Sequence, residues 1–330
     1  MSAITVRKKK LLFFVTEDWY FVSHRLPLAV AAQHAGYEVT VVTRVRQHGE
    51  HIRNAGLRLI PFENVRSGLN PFSELWVLVR LIYLYWRERP DILHHVAMKP
   101  VLYGSIAARL ARIPHVINAL AGMGWLFTSS AGPARRFKPM VRASLGRLLR
   151  PSIALVQNPD DAHLLVQMGV PESRIRRIAG SGVDLRRFYP QPETDGTPVV
   201  VLPARLLWDK GVGEFIAAAR QIRQNGIHAR FVLAGEPDPL NPSSISGGQI
   251  KNWVKEGVVE HYGWVKDMPG LLAQSHVVCL PSFYGEGIPK SLIEAAASGR
   301  PIVTTDMPGC RETVEDGDNG FLVPSRNVEA

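Results

Sequence analysis

Short apolar runs alternate with helix-length segments along this chain, and that alternation limits the possible folds more than any other feature. In the first half, the runs that predict strands are residues 11–15, 38–43, 92–94, 115–118 and 153–156, and the segments that predict helices are residues 24–35, 100–111 and 133–149. Because parallel strands need a long crossover, usually a helix, this order predicts a parallel sheet with helices on both faces.

The same pattern restarts in the second half. Strands are predicted at residues 199–202, 230–234, 277–280 and 302–304, and helices at residues 212–224, 269–274 and 289–298. Glycine and proline are dense between the two sets, which is typical of a linker. We therefore predict an α/β chain of two Rossmann-like domains, residues 1–182 and 198–330, joined by residues 183–197. Such sheets bind ligands beyond the carboxyl ends of their strands, so we expect a site in a cleft between the facing domains.

Composition excludes several other classes of protein. A chain of 330 residues is long enough for two cores, and 46% apolar with 21% charged residues is ordinary globular composition. Cys279 and Cys310 are too few for a disulfide scaffold or a cysteine zinc site. The longest apolar stretch, residues 75–86, is too short to span a membrane, and no secretory signal is recognised, so we expect a cytoplasmic protein.

Charge is distributed unevenly along the chain. Residues 1–190 contain 27 lysines and arginines against 12 aspartates and glutamates, whereas residues 191–330 contain 12 against 17. A basic half of this kind indicates contact with something anionic, such as a membrane, a nucleic acid or a phosphate. The alternative is that the charge serves solubility alone.

The segment around Glu286 has the features of a phosphate-binding helix start. Pro289 suits the first position of a helix that directly follows a predicted strand, and the free amides of such an end favour a phosphate. Glu294 lies about one turn into that helix, where its carboxylate can accept hydrogen bonds from ribose hydroxyls. The alternative is an ordinary capped helix with an acidic first turn.

Two cations follow the first predicted strand of the second domain. Arg205 and Lys210 are placed at its carboxyl end, just before a helix. A guanidinium and an ammonium group together suit a diphosphate, both in binding it and in neutralising a leaving group. The alternative is a pair of solvated surface charges.

Several segments together resemble the family 4 retaining glycosyltransferases, which have the GT-B fold. In the second half these are EGIPKSLIEAAASGRPIV, ARLLWDKG, GSGVDLRRFYP and GCRETVEDGDNGFLVP. In the first half, VTEDWYFVSHRLPLA, HHVAMKPVLYGSIAARLARIPHVINALAGMGWLF and VQNPDDA are similar to bacterial members that extend lipid-linked sugars in capsule, O-antigen or glycan assembly.

The resemblance implies a role for each matching residue. Arg205 and Lys210 are expected to hold the donor diphosphate and stabilise the leaving group, and Glu286 is expected to lie beside the donor sugar. The other donor-binding residues implied are Gly263, Val265, Gly287, Ile288, Lys290 and Glu294. No metal is implied, because the family uses cationic side chains and a helix dipole in its place. No other cofactor is implied, because the nucleotide-sugar, a UDP-sugar, is a substrate.

The chain departs from the family pattern in two places. Many members have a glycine-rich loop after the first strand, whereas residues 16–20 contain no glycine, and others have a histidine where Ala119 and Leu120 stand here. A histidine on the acceptor or sugar side must then be His24, His94 or His95, each of which also fits a structural role. No general base is identified.

A basic segment with apolar residues at helical spacing lies in the first half. Residues 133–150 contain six cations and no acid. Such a helix suits an anionic membrane surface, with contacts expected at Arg135, Arg136, Lys138, Arg142 and Arg147. The alternative is that its apolar face packs into the domain core. Residues 125–127 are a further predicted contact, with the membrane or with the core.

The resemblance therefore predicts an enzyme that moves a sugar from a UDP-sugar to a polyprenyl-diphosphate-linked acceptor, with anomeric retention, peripherally on the cytoplasmic membrane face. A glycosyltransferase with a soluble acceptor is the first alternative. The second is a nucleotide-sugar binder without turnover, because family members continue with further helices and the second domain is expected to be incomplete. Binding of nucleic acid is not expected, because no recognisable module is present.

Overall fold

A computed structural model describes residues 7–63, 71–123 and 134–330, without the side chains of residues 71 and 134–139. The chain divides into two compact units, and the main boundary between them lies between Ile178 and Ala179. Residues 183–197, the predicted linker, group with the second unit. The predicted contact at residues 125–127 lies outside the described residues.

The first unit contains a parallel sheet with the strand order β3-β2-β1-β4-β5-β6-β7. Its strands are β1 (Lys10–Glu17), β2 (Glu38–Arg44), β3 (Arg58–Pro61), β4 (Ile92–Val96), β5 (His115–Ala119), β6 (Ile153–Val156) and β7 (Ile175–Arg177). Its helices are α1 (Asp18–His24), α2 (Leu26–His34), α3 (Gly49–Asn54), α4 (Pro71–Glu88), α5 (Met98–Leu110), α6 (Ala134–Leu149) and α7 (Pro159–Gln167). The parallel sheet with crossover helices is the predicted architecture.

The central strand β1 explains why this sheet has helices on both faces. Residues 11–15 of β1 are all buried, and their side chains divide between two apolar clusters, one containing Phe13 and Phe21 of α1, the other containing Phe14 and Tyr85 of α4. Strands buried on both faces have continuous apolar runs rather than an alternating pattern. This is why the sequence identified β1 readily.

The start of α1 differs from the prediction. Residues 16–20 were expected to form a loop, but β1 continues to Glu17 and α1 begins at Asp18. The buried carboxylate of Asp18 accepts hydrogen bonds from the backbone amides of Trp19 (2.8 Å), Arg46 (2.7 Å) and His48 (2.8 Å). An acidic side chain therefore joins the carboxyl ends of β1 and β2 here.

The second unit repeats the design with the strand order β10-β9-β8-β11-β12-β13, also parallel. Its strands are β8 (Val199–Pro203), β9 (Arg230–Ala234), β10 (Glu260–Gly263), β11 (Val277–Leu280), β12 (Ile302–Thr305) and β13 (Gly320–Val323). Its helices are α8 (Val212–Gln224), α9 (Gly247–Lys255), α10 (Met268–Ala273) and α11 (Lys290–Ala297). The chain order reverses between β8 and β11, and such a switch point is where open parallel sheets bind ligands.

Candidate functional site

The segments that follow β8 and β11 are joined to each other at the switch point of the second unit. Gly211, with φ +73°, lies so close to Pro281 that a Cβ would be 2.0 Å from the Pro281 carbonyl oxygen. The carbonyl of Asp209 accepts a hydrogen bond from the Phe283 amide at 3.1 Å. These contacts fix the backbone that presents Lys210 and Glu286.

Lys210 and Glu286 form a hydrogen-bonded ion pair at this place. The two side chains retain only 13% and 18% of their exposure, so the pair is largely removed from water. The other Glu286 oxygen accepts a hydrogen bond from the Ser282 hydroxyl at 2.9 Å. Burial, and secondarily the Glu286 charge, raises the pKa of the Cys310 thiol to about 12, so this thiol stays protonated. A cation and a carboxylate are thus held together at the centre of the sheet edge.

Arg205 is held by a second acid. Its Nη1 donates a hydrogen bond to Asp238 Oδ2 at 2.6 Å, and the Arg205 side chain is more exposed than that of Lys210. Asp238 belongs to the segment after β9, and its backbone amide donates a hydrogen bond to the Ser244 hydroxyl oxygen at 3.0 Å. The guanidinium is therefore oriented from a neighbouring strand.

The helix α11 begins one residue later than predicted. Pro289 is its N-cap in an extended conformation, and Lys290 is the first helical residue. Gly309, with φ +88°, comes so close that a Cβ there would lie 1.8 Å from the Gly287 carbonyl oxygen. The absence of a side chain at Gly309 therefore sets the path of the backbone before α11.

Glu294 lies within the first helical turns of α11. Its carboxylate is 3.6 Å from the Lys290 ammonium, and the side chain is mostly buried. Burial raises the pKa of Glu294, while Lys290 and Arg187 act in the opposite direction. A mostly buried carboxylate of this kind is suited to accept hydrogen bonds from hydroxyl groups.

The end of β10 forms the outer part of this sheet edge. Gly263 has φ +62°, and the amide of the following Trp264 donates a hydrogen bond to Glu236 Oε1 at 3.2 Å. Val265 packs against the core of the unit. The predicted donor-binding residues Gly263 and Val265 therefore lie beside the segment that follows β9.

The first unit holds His95 in a closed polar network. His95 Nδ1 donates to Asn118 Oδ1 at 2.8 Å, and Nε2 accepts from the Tyr85 hydroxyl at 3.0 Å. Asn118 also donates to the Ser152 hydroxyl at 2.9 Å. Burial lowers the pKa of His95 to about 4, so the ring is neutral at physiological pH. With both ring nitrogens occupied, His95 has no hydrogen-bonding capacity left for a sugar, and its environment is that of a structural histidine.

His94 and His24 have different surroundings. The buried His94 ring stacks on Phe13 with centroids 4.9 Å apart, and burial, with smaller effects from Arg25 and His95, lowers its pKa to about 3. His24 stacks on Tyr20 with centroids 4.2 Å apart. A contact of either histidine with the acceptor or the sugar stays a prediction.

Family models match both halves of the chain. Residues 10–149 match the family described as "Glycosyl transferase 4-like", and residues 197–330 match "Glycosyl transferases group 1". An alpha-D-kanosaminyltransferase of Streptomyces kanamyceticus is 31% identical over 92% of this chain and 82% of its own length. The chain belongs to the family 4-like glycosyltransferases.

Two further relatives of this glycosyltransferase are named for a lipid-linked acceptor. An N,N'-diacetylbacillosaminyl-diphospho-undecaprenol alpha-1,3-N-acetylgalactosaminyltransferase of Campylobacter jejuni is 29% identical over 92% of this chain and 82% of the relative. A UDP-Gal:alpha-D-GlcNAc-diphosphoundecaprenol alpha-1,3-galactosyltransferase of Escherichia coli is 26% identical over 77% of this chain and 67% of the relative.

Solved structures with the same fold are GT-B glycosyltransferases. The Anabaena HepE complex with UDP-glucose has a TM-score of 0.73 at 18% identity, covering 97% of this chain and 86% of that one. TarM has a TM-score of 0.71 at 12% identity, covering 98% and 90%. The predicted GT-B fold class, with two Rossmann-like units, is confirmed.

The structure of this glycosyltransferase brings some of the predicted residues together and adds others. Lys210 meets Glu286, and Lys290 meets Glu294. The sequence reasoning missed three residues that hold the site: Ser282, Asp238 and Glu236. All three follow the carboxyl end of a strand, and that position was the available signal.

The basic segment of residues 133–150 forms the predicted helix, α6. Leu145 and Leu149 are buried, so this part of its apolar face packs into the unit, as the structural alternative proposed. Arg142 and Arg147 are described, whereas the side chains of Arg135, Arg136 and Lys138 lie outside the described part of the chain. Within the three described ranges, no helix is both long and apolar enough to cross a membrane.

Proposed function

We propose that this glycosyltransferase moves a sugar from a UDP-sugar to a sugar on a membrane-anchored polyprenyl diphosphate, with retention of anomeric configuration. The observation that carries the proposal is the Lys210–Glu286 pair at the switch point between β8 and β11. The names of the C. jejuni and E. coli relatives support the acceptor class, and the UDP-Gal in the E. coli name supports the donor class.

Each donor-binding role follows from the chemistry of the side chain. Arg205 and Lys210 bind the diphosphate, which suits a guanidinium fork and an ammonium group. The start of α11, with Gly287, Ile288 and Lys290, adds the positive end of a helix dipole. Glu294 accepts hydrogen bonds from the ribose hydroxyls. Backbone groups at Gly263 and Val265 bind the base.

The reaction breaks the bond between the anomeric carbon and the β-phosphate oxygen, and the electron pair stays with that oxygen. Lys210 and Arg205 neutralise the charge that develops there, which lowers the barrier because the charge is larger in the transition state. The acceptor hydroxyl attacks the same face of the sugar and gives its proton to the leaving phosphate oxygen. Glu286 orients Lys210 and lies beside the donor sugar. This route needs neither a general base from the chain nor a metal ion.

The acceptor class places the reaction at a bilayer surface, so we propose that the enzyme acts as a peripheral membrane protein. The basic character of the first half of the chain supports this, because cations near an anionic leaflet each contribute about 1 kcal/mol. Arg142 and Arg147 of α6 remain the predicted contacts whose side chains are described.

Release of UDP tests this proposal. The purified chain is incubated with a panel of UDP-sugars and undecaprenyl-diphosphate-linked sugars dispersed in detergent, with and without EDTA. We expect release with one UDP-sugar that requires the lipid-linked acceptor and persists in EDTA. We expect Lys210→Ala to remove this release and the exposed Lys251→Ala to preserve it.

Other outcomes would contradict the acceptor class, the turnover or the metal independence that we propose. Release that needs only a water-soluble sugar would favour the soluble-acceptor alternative. Saturable UDP binding without release from any donor would favour a nucleotide-sugar binder. Loss of release in EDTA, restored by a divalent cation, would overturn the metal-independent route.

A further inference from the structure

The outer face of α4 is apolar and aromatic although it is exposed. Six large apolar side chains between 46% and 84% exposed follow one face of this helix at helical spacing: Phe72, Leu75, Trp76, Val79, Tyr83 and Trp86. The opposite face, with Leu81 and Tyr85, is fully buried in the core of the first unit. A helix on the surface of a water-soluble domain normally has a polar outer face, and a contiguous exposed apolar patch marks an interaction site.

Charges along α4 leave this face positive. Its two acids are each paired with a cation: Glu74 with Lys99 at 2.9 Å and Glu88 with Arg58 at 2.5 Å. Three exposed arginines border the face, and two of them lie over aromatic rings, Arg80 over Phe62 at 4.9 Å and Arg89 over Trp86 at 5.9 Å; the third is Arg87. The acids are therefore neutralised locally, and the bordering arginines dominate.

A basic pocket lies beside the neighbouring helix. The helix α5 packs along α4 and exposes Leu110 near its end. A pocket of about 620 Å³ lies between α5 and α6. None of the described residues that line it is acidic, and four are arginines: Arg109, Arg112, Arg147 and Arg150. Four cations around one pocket repel one another, and an anion in the pocket relieves that repulsion.

We propose that the outer faces of α4 and α5, with this arginine pocket, form a docking surface for an anionic lipid bilayer. Tryptophan and tyrosine rings sit favourably at the headgroup level, where one edge is apolar and the other wet. The pocket binds a lipid phosphate, and the bordering arginines attract the anionic leaflet. The proposal rests on the proposed function in one respect, since a lipid-linked acceptor explains why such a surface is needed.

Charge argues against a second copy of the chain as the occupant. A two-fold interface brings the same patch of both copies together, so two positively charged faces would meet. Like charges at an interface oppose association, whereas an anionic lipid surface is complementary to them. A bilayer therefore fits both the aromatic and the cationic components of this surface.

Vesicle binding tests the proposal without donor or acceptor, so its failure can be told apart from failure of the proposed function. Sedimentation with phosphatidylcholine vesicles is compared with sedimentation with vesicles that also contain phosphatidylglycerol. We expect stronger binding to the anionic vesicles. The double variant Trp76→Ser/Trp86→Ser should lower the partition coefficient by about tenfold or more, because binding scales with buried apolar area.

The pocket is tested separately. The double variant Arg109→Gln/Arg112→Gln should weaken binding to anionic vesicles by about fivefold per arginine and leave binding to neutral vesicles unchanged. Matched controls are Ile227→Ser, a 58% exposed apolar residue of the second unit, and Arg174→Gln, an exposed arginine outside the pocket. Both controls should bind like the wild type.

Tryptophan fluorescence reports contact with the membrane directly and does not depend on enzyme activity. Lipids with a quencher at headgroup depth should reduce the tryptophan fluorescence of the wild type, and Trp76→Ser/Trp86→Ser should abolish most of that quenching. Equal vesicle binding of the wild type and both double variants would overturn the proposal. So would a stable dimer that dissociates in Trp76→Ser/Trp86→Ser, together with absent vesicle binding, because this face would then bind a second copy.

Discussion

Lys210 and Glu286, 76 residues apart in the sequence, form an ion pair between the segments that follow β8 and β11. These two strands are neighbours at the point where the chain order of the second sheet reverses. The pair is therefore a product of topology, and it fixes an ammonium group at the edge of the sheet where ligands of such folds bind.

We expect Lys210→Ala to lower kcat by about a hundredfold or more, and UDP affinity by less than tenfold. Lys210 neutralises charge that is larger on the leaving diphosphate in the transition state than in the bound donor. Steady-state kinetics and calorimetric titration with UDP separate the two quantities. Lys251→Ala, at an exposed position of α9, serves as the control. An unchanged kcat with a loss of UDP affinity would mean that Lys210 contributes only ground-state binding.

Gly309 should be intolerant of a side chain. Both Gly309 and Gly317 have positive φ, +88° and +81°, but only at Gly309 would a Cβ meet another atom closely, the Gly287 carbonyl oxygen at 1.8 Å. Gly317→Ala should cost only the strain of the left-handed conformation, about 1–2 kcal/mol of unfolding free energy. Gly309→Ala should cost more and also weaken UDP binding, because Gly287 must move. Thermal melting and UDP titration of both variants measure this, and equal behaviour would contradict it.

As the pH is lowered, UDP affinity should begin to fall at a higher pH than it would if Glu294 had the pKa of an ordinary glutamate. Burial raises the pKa of Glu294 in the folded protein, so the carboxylate takes up a proton earlier as the pH is lowered, and then ceases to accept from the ribose. Below that pKa the affinity should drop by up to about tenfold per pH unit. Glu294→Gln should bind UDP more weakly at neutral pH and lose this dependence, whereas the exposed Glu256→Gln should retain it. An unchanged profile in Glu294→Gln would exclude Glu294 from the ribose site.

The core strands of this fold were predictable because they are continuous apolar runs. β1 and β8 are central strands buried on both faces, and sequence alone located both. The short strands β3, β7 and β10 were missed, since they lie at sheet edges, have no buried residue and contain few apolar residues. The helix α4 was also missed, because apolar residues on its outer face as well as on its inner one make residues 75–86 a nearly continuous apolar stretch.

The site was predictable residue by residue, but its internal connections were not. Arg205, Lys210 and Glu286 were chosen because each follows a strand, which sequence spacing reveals. Their partners Asp238 and Ser282 depend on which strands are neighbours in the sheet and how the segments between them are folded back. Short-range patterns contain no information on those distances.

Acid should destabilise the first unit through its buried histidines. Burial lowers the folded-state pKa of His94 to about 3 and that of His95 to about 4, below the unfolded value near 6.5. The unfolded chain therefore binds more protons below about pH 6.5, and stability is lost as the pH falls from there towards the folded values. Each histidine should contribute up to about 1.4 kcal/mol per pH unit.

His94→Phe separates this effect from general acid denaturation. Phenylalanine keeps the stacking on Phe13 and removes the titrating nitrogen, so the loss of stability between pH 6 and pH 4.5, measured by urea unfolding, should be smaller than in the wild type by about 1.4 kcal/mol per pH unit. His163→Phe, at an exposed position of α7, is the control and should leave the wild-type slope. Identical slopes in the wild type and His94→Phe would show that His94 is not held neutral by burial.

The most direct measurement is the mass of the acceptor lipid after reaction. Wild-type enzyme is incubated with a UDP-sugar and an undecaprenyl-diphosphate-linked sugar, and the lipid is analysed by mass spectrometry alongside the UDP released. We expect the acceptor to gain the mass of one sugar residue for each UDP released, and Lys210→Ala to show neither change. UDP release with an unchanged acceptor mass would mean that the donor is hydrolysed rather than transferred, and would contradict the proposed function.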